Sequence, residues 1–217
     1  FVNLKIMIDV KSTPIKFYKE LKANKNYIIE IDCPITISKS IKNDIEQRNL
    51  KQAHIIDGLA FTRFWCWLEN ENNFNNLSEE ILSKKLFNFR MQNDNFKGNS
   101  FPSISAFGKN GAIVHYKYKT QNSLKINKNN LYLIDSGGQY FLGTTDLTRT
   151  LIFGKPTNEM KNFYTLVLKG HLSVSNLIFP KGTKGNEIDI LARLNLWKVF
   201  QDFPHGTGHG VGFYLNV

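Results

Sequence analysis

Apolar residues recur along this chain with two different periods, and the changes of period divide it. From Ser38 to about Asn70, the residues Ile41, Ile45, Ala53, Ile56, Ala60, Phe64 and Trp67 mostly recur at three and four positions. That spacing lays one apolar stripe along a helix. "ENNFNNL" (71–77) breaks the run. Ser78 then reads as an N-cap, with Glu79 and Glu80 in an acidic first turn, which predicts a helix from Glu79 to about Gln92. After Asn93, short apolar runs bounded by polar turns take over. "FPSISAF" (101–107), "GAIVHYKY" (111–118), "LYLIDSGG" (131–138) and "GTTDLTRTLIF" (143–153) are expected strands. Helical spacing returns over 158–179 and again, past a turn and Gly185, towards Phe200. The first 43 residues are patterned separately. "TPIKFYKELKAN" (13–24) suits a helix with proline near its first turn, and "NYIIEIDCPI" (26–35) a short strand. Residues 1–43 therefore read as the C-terminal remnant of a preceding α/β domain, and 44–217 as the N-terminal part of a second one. Helices, then antiparallel hairpins, then helices define an α+β fold class.

Composition narrows the picture mainly by exclusion. The 217 residues carry a net charge of +10, but the lysines are scattered among Asn and Ile, as in "IKNDIEQRNLKQ". A nucleic-acid binder gathers its basic residues on one face with aromatics between them, so no nucleic-acid partner is expected. No apolar run approaches the roughly 18 residues of a membrane span, and no leader pattern is present. The first residue is Phe1, which suggests a processed or fragmentary start. Cys33 and Cys66 have no paired-ligand spacing. Both are expected to be small buried groups in a reducing, cytoplasmic setting.

The candidate chemistry lies in "LYLIDSGGQYFLGTTDLTRT" and "HGTGHGVGFYLNV". A turn centred between Tyr140 and Phe141 would set Asp135 directly opposite Asp146 across a hairpin, with their Cβ atoms about 5 Å apart. Like charges so placed repel unless a cation lies between them or one is protonated. A divalent ion is one answer, with Thr145 and Thr148 orienting the carboxylates from the second shell. The other is that each aspartate simply accepts turn hydrogen bonds. Oxygen ligands alone favour Mg, Mn or Ca, and an added imidazole shifts the preference towards Mn, Fe, Co or Zn. His205 and His209 sit among Gly206, Gly208 and Gly210, which makes a helix improbable there and suits close approach of a ligand. One histidine would bind metal and the other substrate. His115, on the expected strand 111–118, would reach the same cleft. His54 and His171 lie in helical patterns and are read as packed or surface residues. No nucleophile elbow or phosphate loop is present.

At these residues the sequence resembles aminopeptidase P, the Xaa-Pro aminopeptidases of the pita-bread (creatinase/aminopeptidase-like) metallopeptidases. "AHIIDGLAF", "FPSISAFGKNGAIVHY", "YLIDSGGQYFLGTTDLTRTLIFGKPT" and "HGTGHGVGFYLNV" follow that family's order and spacing. The resemblance implies an antiparallel sheet flanked by helices, incomplete at its C-terminus. It implies removal of the N-terminal residue from peptides with proline second, using water activated by two divalent ions, Mn with Zn or Co as substitutes. Asp135, Asp146 and His209 match metal ligands, with Asp146 the bridging one. His115 and His205 match residues that contact substrate and support proton transfer. The family's two glutamate ligands would lie past Val217, so the resemblance implies weak metal binding and little or no activity for these residues. A non-catalytic peptide-binding module is the alternative, and a homodimer is an assembly the resemblance allows. Phe200 and Phe213 stand where the family usually has small residues, often Gly at the first, and Lys109 where it often has Pro.

Overall fold

The first strand pair is parallel, so its connection must cross over. In this computed structural model, which describes residues 1–71, 74–119, 123–215 and 217, β1 (Lys5–Ile8) pairs with β2 (Tyr27–Glu30) through α1 (Ile15–Ala23). These elements belong to a compact unit, Phe1–Arg48, and a second unit spans Asn49–Val217. The strand expected over 26–35 stops at Glu30. Pro34 occupies the first turn of α2 (Pro34–Ser40), where its missing N–H costs nothing. The long helix expected from Ser38 is likewise two helices. Asn43 accepts the N–H groups of Ile45 and Glu46 at 3.0 and 2.9 Å, and the Glu46 carboxylate accepts the Asn43 N–H at 2.9 Å. This reciprocal cap starts α3 (Asp44–Glu69) afresh.

In the second unit, β4 (Ile104–Phe107), β5 (Asn130–Ser136) and β8 (Leu147–Phe153) form an antiparallel sheet in the order β4-β5-β8. A smaller antiparallel sheet is ordered β3-β6-β7, from Phe96–Asn99, Gly138–Tyr140 and Gly143–Thr144. One long hairpin joins the two sheets, since β5 runs on into β6 and β7 into β8. Phe64 and Leu68 of α3 join Leu82 and Leu86 of α4 (Glu79–Arg90) in a core with Phe107, Tyr132, Ile134 and Phe153. Strand alternation then fixes the site. Tyr132, Ile134 and Ser136 of β5 are buried, so Asp135 lies on the opposite face. The cap of α4 is as expected, with Ser78 Oγ accepting the Ile81 N–H at 3.3 Å. Helices α5 (Asn158–Ser175) and α6 (Gly185–Trp197) pack together, Gly170 lying so close to the Ala192 backbone that a Cβ has no room. Among the described residues no helix is long and apolar enough to cross a membrane.

Two expectations are corrected here. Residues 111–118 form no strand. A 3-10 turn over Gly108–Ala112 is followed by irregular chain. Glu79, which is fully buried, ties this segment down from either side. Its carboxylate accepts from Phe107 N (2.8 Å), Asn110 Nδ2 (2.9 Å), Tyr116 Oη (2.9 Å) and Leu124 N (3.1 Å). The cysteines are both free, but Cys33 is only half-buried and Cys66 is exposed.

A buried ion pair joins the helices to the hairpin. Arg90 Nε donates to Asp57 Oδ1 at 2.6 Å and Nη2 to Oδ2 at 3.1 Å, with both side chains 1% exposed. Arg90 also donates to Ser136 Oγ (3.1 Å), and Tyr140 Oη donates to Asp57 (2.7 Å). Removing one partner of such a pair leaves a bare buried charge, at a cost of about 3–5 kcal/mol. Asp57→Ala is therefore expected to lower stability by about that amount, read as a fall in the urea midpoint; an unchanged midpoint would refute the pair's role.

The end of α6 carries an opposite, removable cost. Phe200 N–H bonds to Trp197 O at 3.0 Å and Gln201 N–H to Leu196 O at 3.1 Å, a Schellman cap. Its left-handed position is held by Phe200, at φ 56° and 95% exposed. A non-glycine residue there costs about 1–2 kcal/mol, partly offset by the chain entropy glycine loses on folding. Phe200→Gly is expected to stabilise by about 0.5–1 kcal/mol, seen as a higher melting temperature.

Candidate metal centre

The hairpin register decides where the two aspartates lie. Tyr140 pairs with Gly143, so the turn is Phe141–Leu142, one residue later than the sequence suggests. A one-residue shift of the turn moves the register by two. Asp135 therefore faces Thr148, and Ser136 faces Leu147. Asp135 and Asp146 are diagonal neighbours on one face instead of direct cross-strand partners, and their carboxyl groups still interact. Gly137 allows the hairpin to pass from one sheet to the next here. A Cβ on it would collide with the Thr145 carbonyl and the Ser100 hydroxyl.

Asp135, Asp146, His115 and His209 line one open cleft of about 590 Å3, together with Tyr116, Lys117 and an apolar wall of Phe101, Pro102 and Ile104. Asp135 Oδ1 is buried and has no hydrogen-bond partner. Burial pushes the Asp135 carboxyl above its usual range; the Thr148 hydroxyl opposes this and the neighbouring Asp146 charge adds to it. His209 Nε2 lies 3.5 Å from Asp146 Oδ2. The other ring nitrogen, Nδ1, is 3.0 Å from Gly210 O, a hydrogen bond when Nδ1 carries the proton. In that tautomer Nε2 offers a lone pair to the cleft. A buried carboxylate oxygen, a second carboxylate and an imidazole lone pair then share one cleft wall, all of them acceptors. That donor set fits a divalent cation of the Mn, Co or Zn type. The three side chains do not close into a compact cluster: among the described residues no three of His, Cys, Asp or Glu are gathered tightly enough to hold an ion as they stand.

The remaining expected residues fall differently. Thr148 stands directly across the ladder from Asp135, and its hydroxyl bonds the Asp135 carboxyl. Thr145 does not serve the carboxylates. Its hydroxyl accepts the Gly138 N–H at 2.9 Å and its carbonyl accepts from Ser100 Oγ at 2.8 Å, so it secures the passage between the sheets. His115 is exposed in a turn at φ 52°, not on a strand. His205 is not among the cleft-lining residues. Its ring stacks on Phe203 at 4.8 Å between centroids, and its carbonyl accepts from Arg193 at 2.7 Å. Phe213 packs beside Gly143 of β7. Gly206, Gly208 and Gly210 have no protein atom within 4 Å of an added Cβ, so the protein's own packing does not require them. His54 is exposed on α3, with Nδ1 2.8 Å from Leu50 O.

Two residues that sequence reasoning passed over matter here. Glu79 read as a first-turn charge, but through Tyr116 it fixes the segment bearing His115. Arg193 gave no signal within an apolar helix, yet it contacts the segment that leads to His209.

Known proteins are similar to this chain in sequence and fold. "Probable Xaa-Pro aminopeptidase P" of Arthroderma gypseum is 50% identical over 88% of this chain and 30% of its own length. "Aminopeptidase P1" of Lotus japonicus is 42% identical over 90% of this chain and 33% of its own. The chain thus spans about a third of the length of these curated relatives. Among solved structures, X-prolyl aminopeptidase of Caenorhabditis elegans, described as a cytosolic enzyme with a di-nuclear active site, superposes with a TM-score of 0.83. It is 39% identical, over 88% of this chain and 31% of its own. A prolidase from Thermococcus sibiricus gives 0.78 at 26% identity, covering 100% of this chain and 60% of its own. These neighbours share the pita-bread fold. The sequence model of metallopeptidase family M24 matches residues 48–217, so the chain belongs to that family.

Proposed function

We propose that this chain supplies a metal-binding part of an aminopeptidase active site that removes the N-terminal residue before a proline. The observation that carries this reading is Asp135 Oδ1, a buried carboxylate oxygen without a partner, in the same cleft as Asp146 and His209. Asp135 and His209 would each hold one divalent ion, and Asp146, which neighbours both side chains, would bridge two. Ions bound there supply Lewis acidity towards the scissile carbonyl and activate water for attack. Manganese suits mixed carboxylate and imidazole ligands, with Co or Zn as substitutes.

The chain's own groups account for binding and orientation. Phe101, Pro102 and Ile104 offer an apolar wall on which a proline ring would be favoured, because the apolar surfaces leave water together. His115 projects into the cleft from a left-handed turn, a conformation kept where the surroundings enforce it. It is placed to hydrogen-bond the substrate and to accept or return a proton there. His205, which stacks on Phe203, serves instead to order its own segment. The open space beside Gly206, Gly208 and Gly210 leaves room for the peptide backbone. A cytosolic location, as described for the Caenorhabditis elegans enzyme, fits the free cysteines.

Three side-chain ligands among the described residues would leave most positions around two ions to water. The 217 residues alone are therefore expected to bind metal weakly and to turn over little or no Xaa-Pro peptide. The test is Co2+ titration of the chain followed by visible absorption, with peptide cleavage measured in parallel on Xaa-Pro and Xaa-Ala substrates. Replacing Asp135 or Asp146 by Asn is expected to weaken Co2+ binding more than the about 10–100-fold typical of lost outer-shell partners. Unchanged affinity in both variants would refute the site. Cleavage of Xaa-Ala as readily as Xaa-Pro would refute the proline preference.

A further inference from the structure

The segment 202–215 carries His209, yet among the described residues it forms no backbone–backbone hydrogen bond. It has neither helix nor strand to set its path. After His209, Leu215 O accepts from Gln139 Nε2 at 2.8 Å and Thr144 Oγ1 at 3.4 Å; before it, the segment is tied down chiefly by one side chain on α6. All five N–H donors of Arg193 are engaged. Nε donates to Asp189 Oδ2 at 2.6 Å, and one terminal nitrogen to Asp202 Oδ1 (2.8 Å) and Phe203 O (2.7 Å). The other donates to Asp189 Oδ1 (3.3 Å) and His205 O (2.7 Å). The guanidinium also lies 4.0 Å from the centroid of the Phe203 ring, which in turn stacks on His205. Asp189, one helical turn before Arg193, accepts the Thr207 hydroxyl as well. Successive attachments at residues 202, 203, 205 and 207 thus lead to His209.

We propose that Arg193 is the positioning residue of His209. Its planar fork, braced by Asp189, fixes the 202–207 segment so that the His209 imidazole faces Asp146. The proposal rests on the reading of His209 as a metal ligand. Arg193 itself is not a cleft-lining residue, so it acts through the segment it holds. A lysine keeps the charge and most of the stem but has no rigid fork to serve both carboxylates and both carbonyls at once.

The experiment is a double-mutant cycle on the 217-residue chain, with Co2+ as the probe. Amide hydrogen exchange without metal is measured alongside. Arg193→Lys is expected to speed exchange over 203–210 while leaving β5 and β8 protected. It is also expected to weaken Co2+ binding by about tenfold, the scale of a lost outer-shell partner. In the His209→Ala background the same change should cost nothing further. An equal loss in both backgrounds would overturn the proposal, because Arg193 would then act on the fold and not through His209. So would unchanged Co2+ affinity in Arg193→Lys while His209→Ala weakens binding. If His209→Ala leaves affinity unchanged, or the unaltered chain binds no Co2+, the ligand reading fails and the positioning role with it. Should Arg193→Lys not fold, Thr207→Val, which removes only the outer strut, carries the same cycle with a smaller expected loss.

Discussion

The buried pair of Arg90 and Asp57 is the constraint on which the second unit depends. Its four hydrogen-bonded groups leave from four elements: Asp57 from α3, Arg90 from α4, Ser136 from β5 and Tyr140 from β6. They are satisfied together only when both helices and both halves of the long hairpin are in register. An ion pair withdrawn from water costs several kcal/mol per charge unless every lone pair and N–H is matched. A slipped hairpin would remove Ser136 and Tyr140 from the network and leave it part-satisfied in the core. Ser136 precedes the passage between the sheets and follows Asp135. The network that fixes Ser136 inward therefore fixes Asp135 outward, by the alternation of the strand.

The cleft is built by two kinds of scaffold. Asp135 and Asp146 stand on or beside ladder-paired strands, where backbone hydrogen bonds set their positions. The histidines stand on irregular chain. There a charged side chain gathers backbone and side-chain groups of the segment or its flanks. Glu79 does this with its acceptors for the segment before His115, and Arg193 with its donors for the segment before His209. The two are complementary in chemistry. A carboxylate gathers N–H and O–H groups, a guanidinium gathers carbonyls and carboxylates, and each is nearly saturated.

How much of this is legible in the sequence follows from the range of the interactions. The cap at Ser78, the stripe through Ala53, Ala60 and Phe64, and the placing of both aspartates on one hairpin face all depend on neighbours within a few residues. Local pattern conveys them. The turn was less legible, because Phe141–Leu142 carries none of the Asn-Gly or Asp-Gly chemistry that marks a two-residue hairpin. "AIVHYKY" alternates like a strand but forms none; Glu79 holds its Tyr116 hydroxyl and the flanking Phe107 and Leu124 N–H groups, 28 to 45 residues away. Nothing near Glu79 or Arg193 distinguishes a surface charge from a buried or saturated one, since their partners are assembled only by the fold. Thr145 shows the same limit. Its hydroxyl sits among residues that look suited to support a carboxylate, yet the crossing between sheets needs it more.

The asymmetry of the scaffold bears on how the cleft would take up a cation. The two carboxylates are brought near each other at one end of the hairpin, and burial already raises the Asp135 carboxyl. The sheet holds the carboxylates regardless of this repulsion, so its relief is gained on binding without rearrangement. His209 differs: its side chain is 58% exposed, and its contact with Asp146 is long at 3.5 Å. Closing the imidazole onto a shared ion requires ordering a segment that has no ladder of its own, and immobilising such chain opposes binding. The carboxylates are already in place, so how fully the 202–209 segment is ordered beforehand is what remains to tune the affinity they supply. A saturated guanidinium at the base of that segment reduces this cost before the ion arrives, which is what a site built half on strands and half on a loop requires.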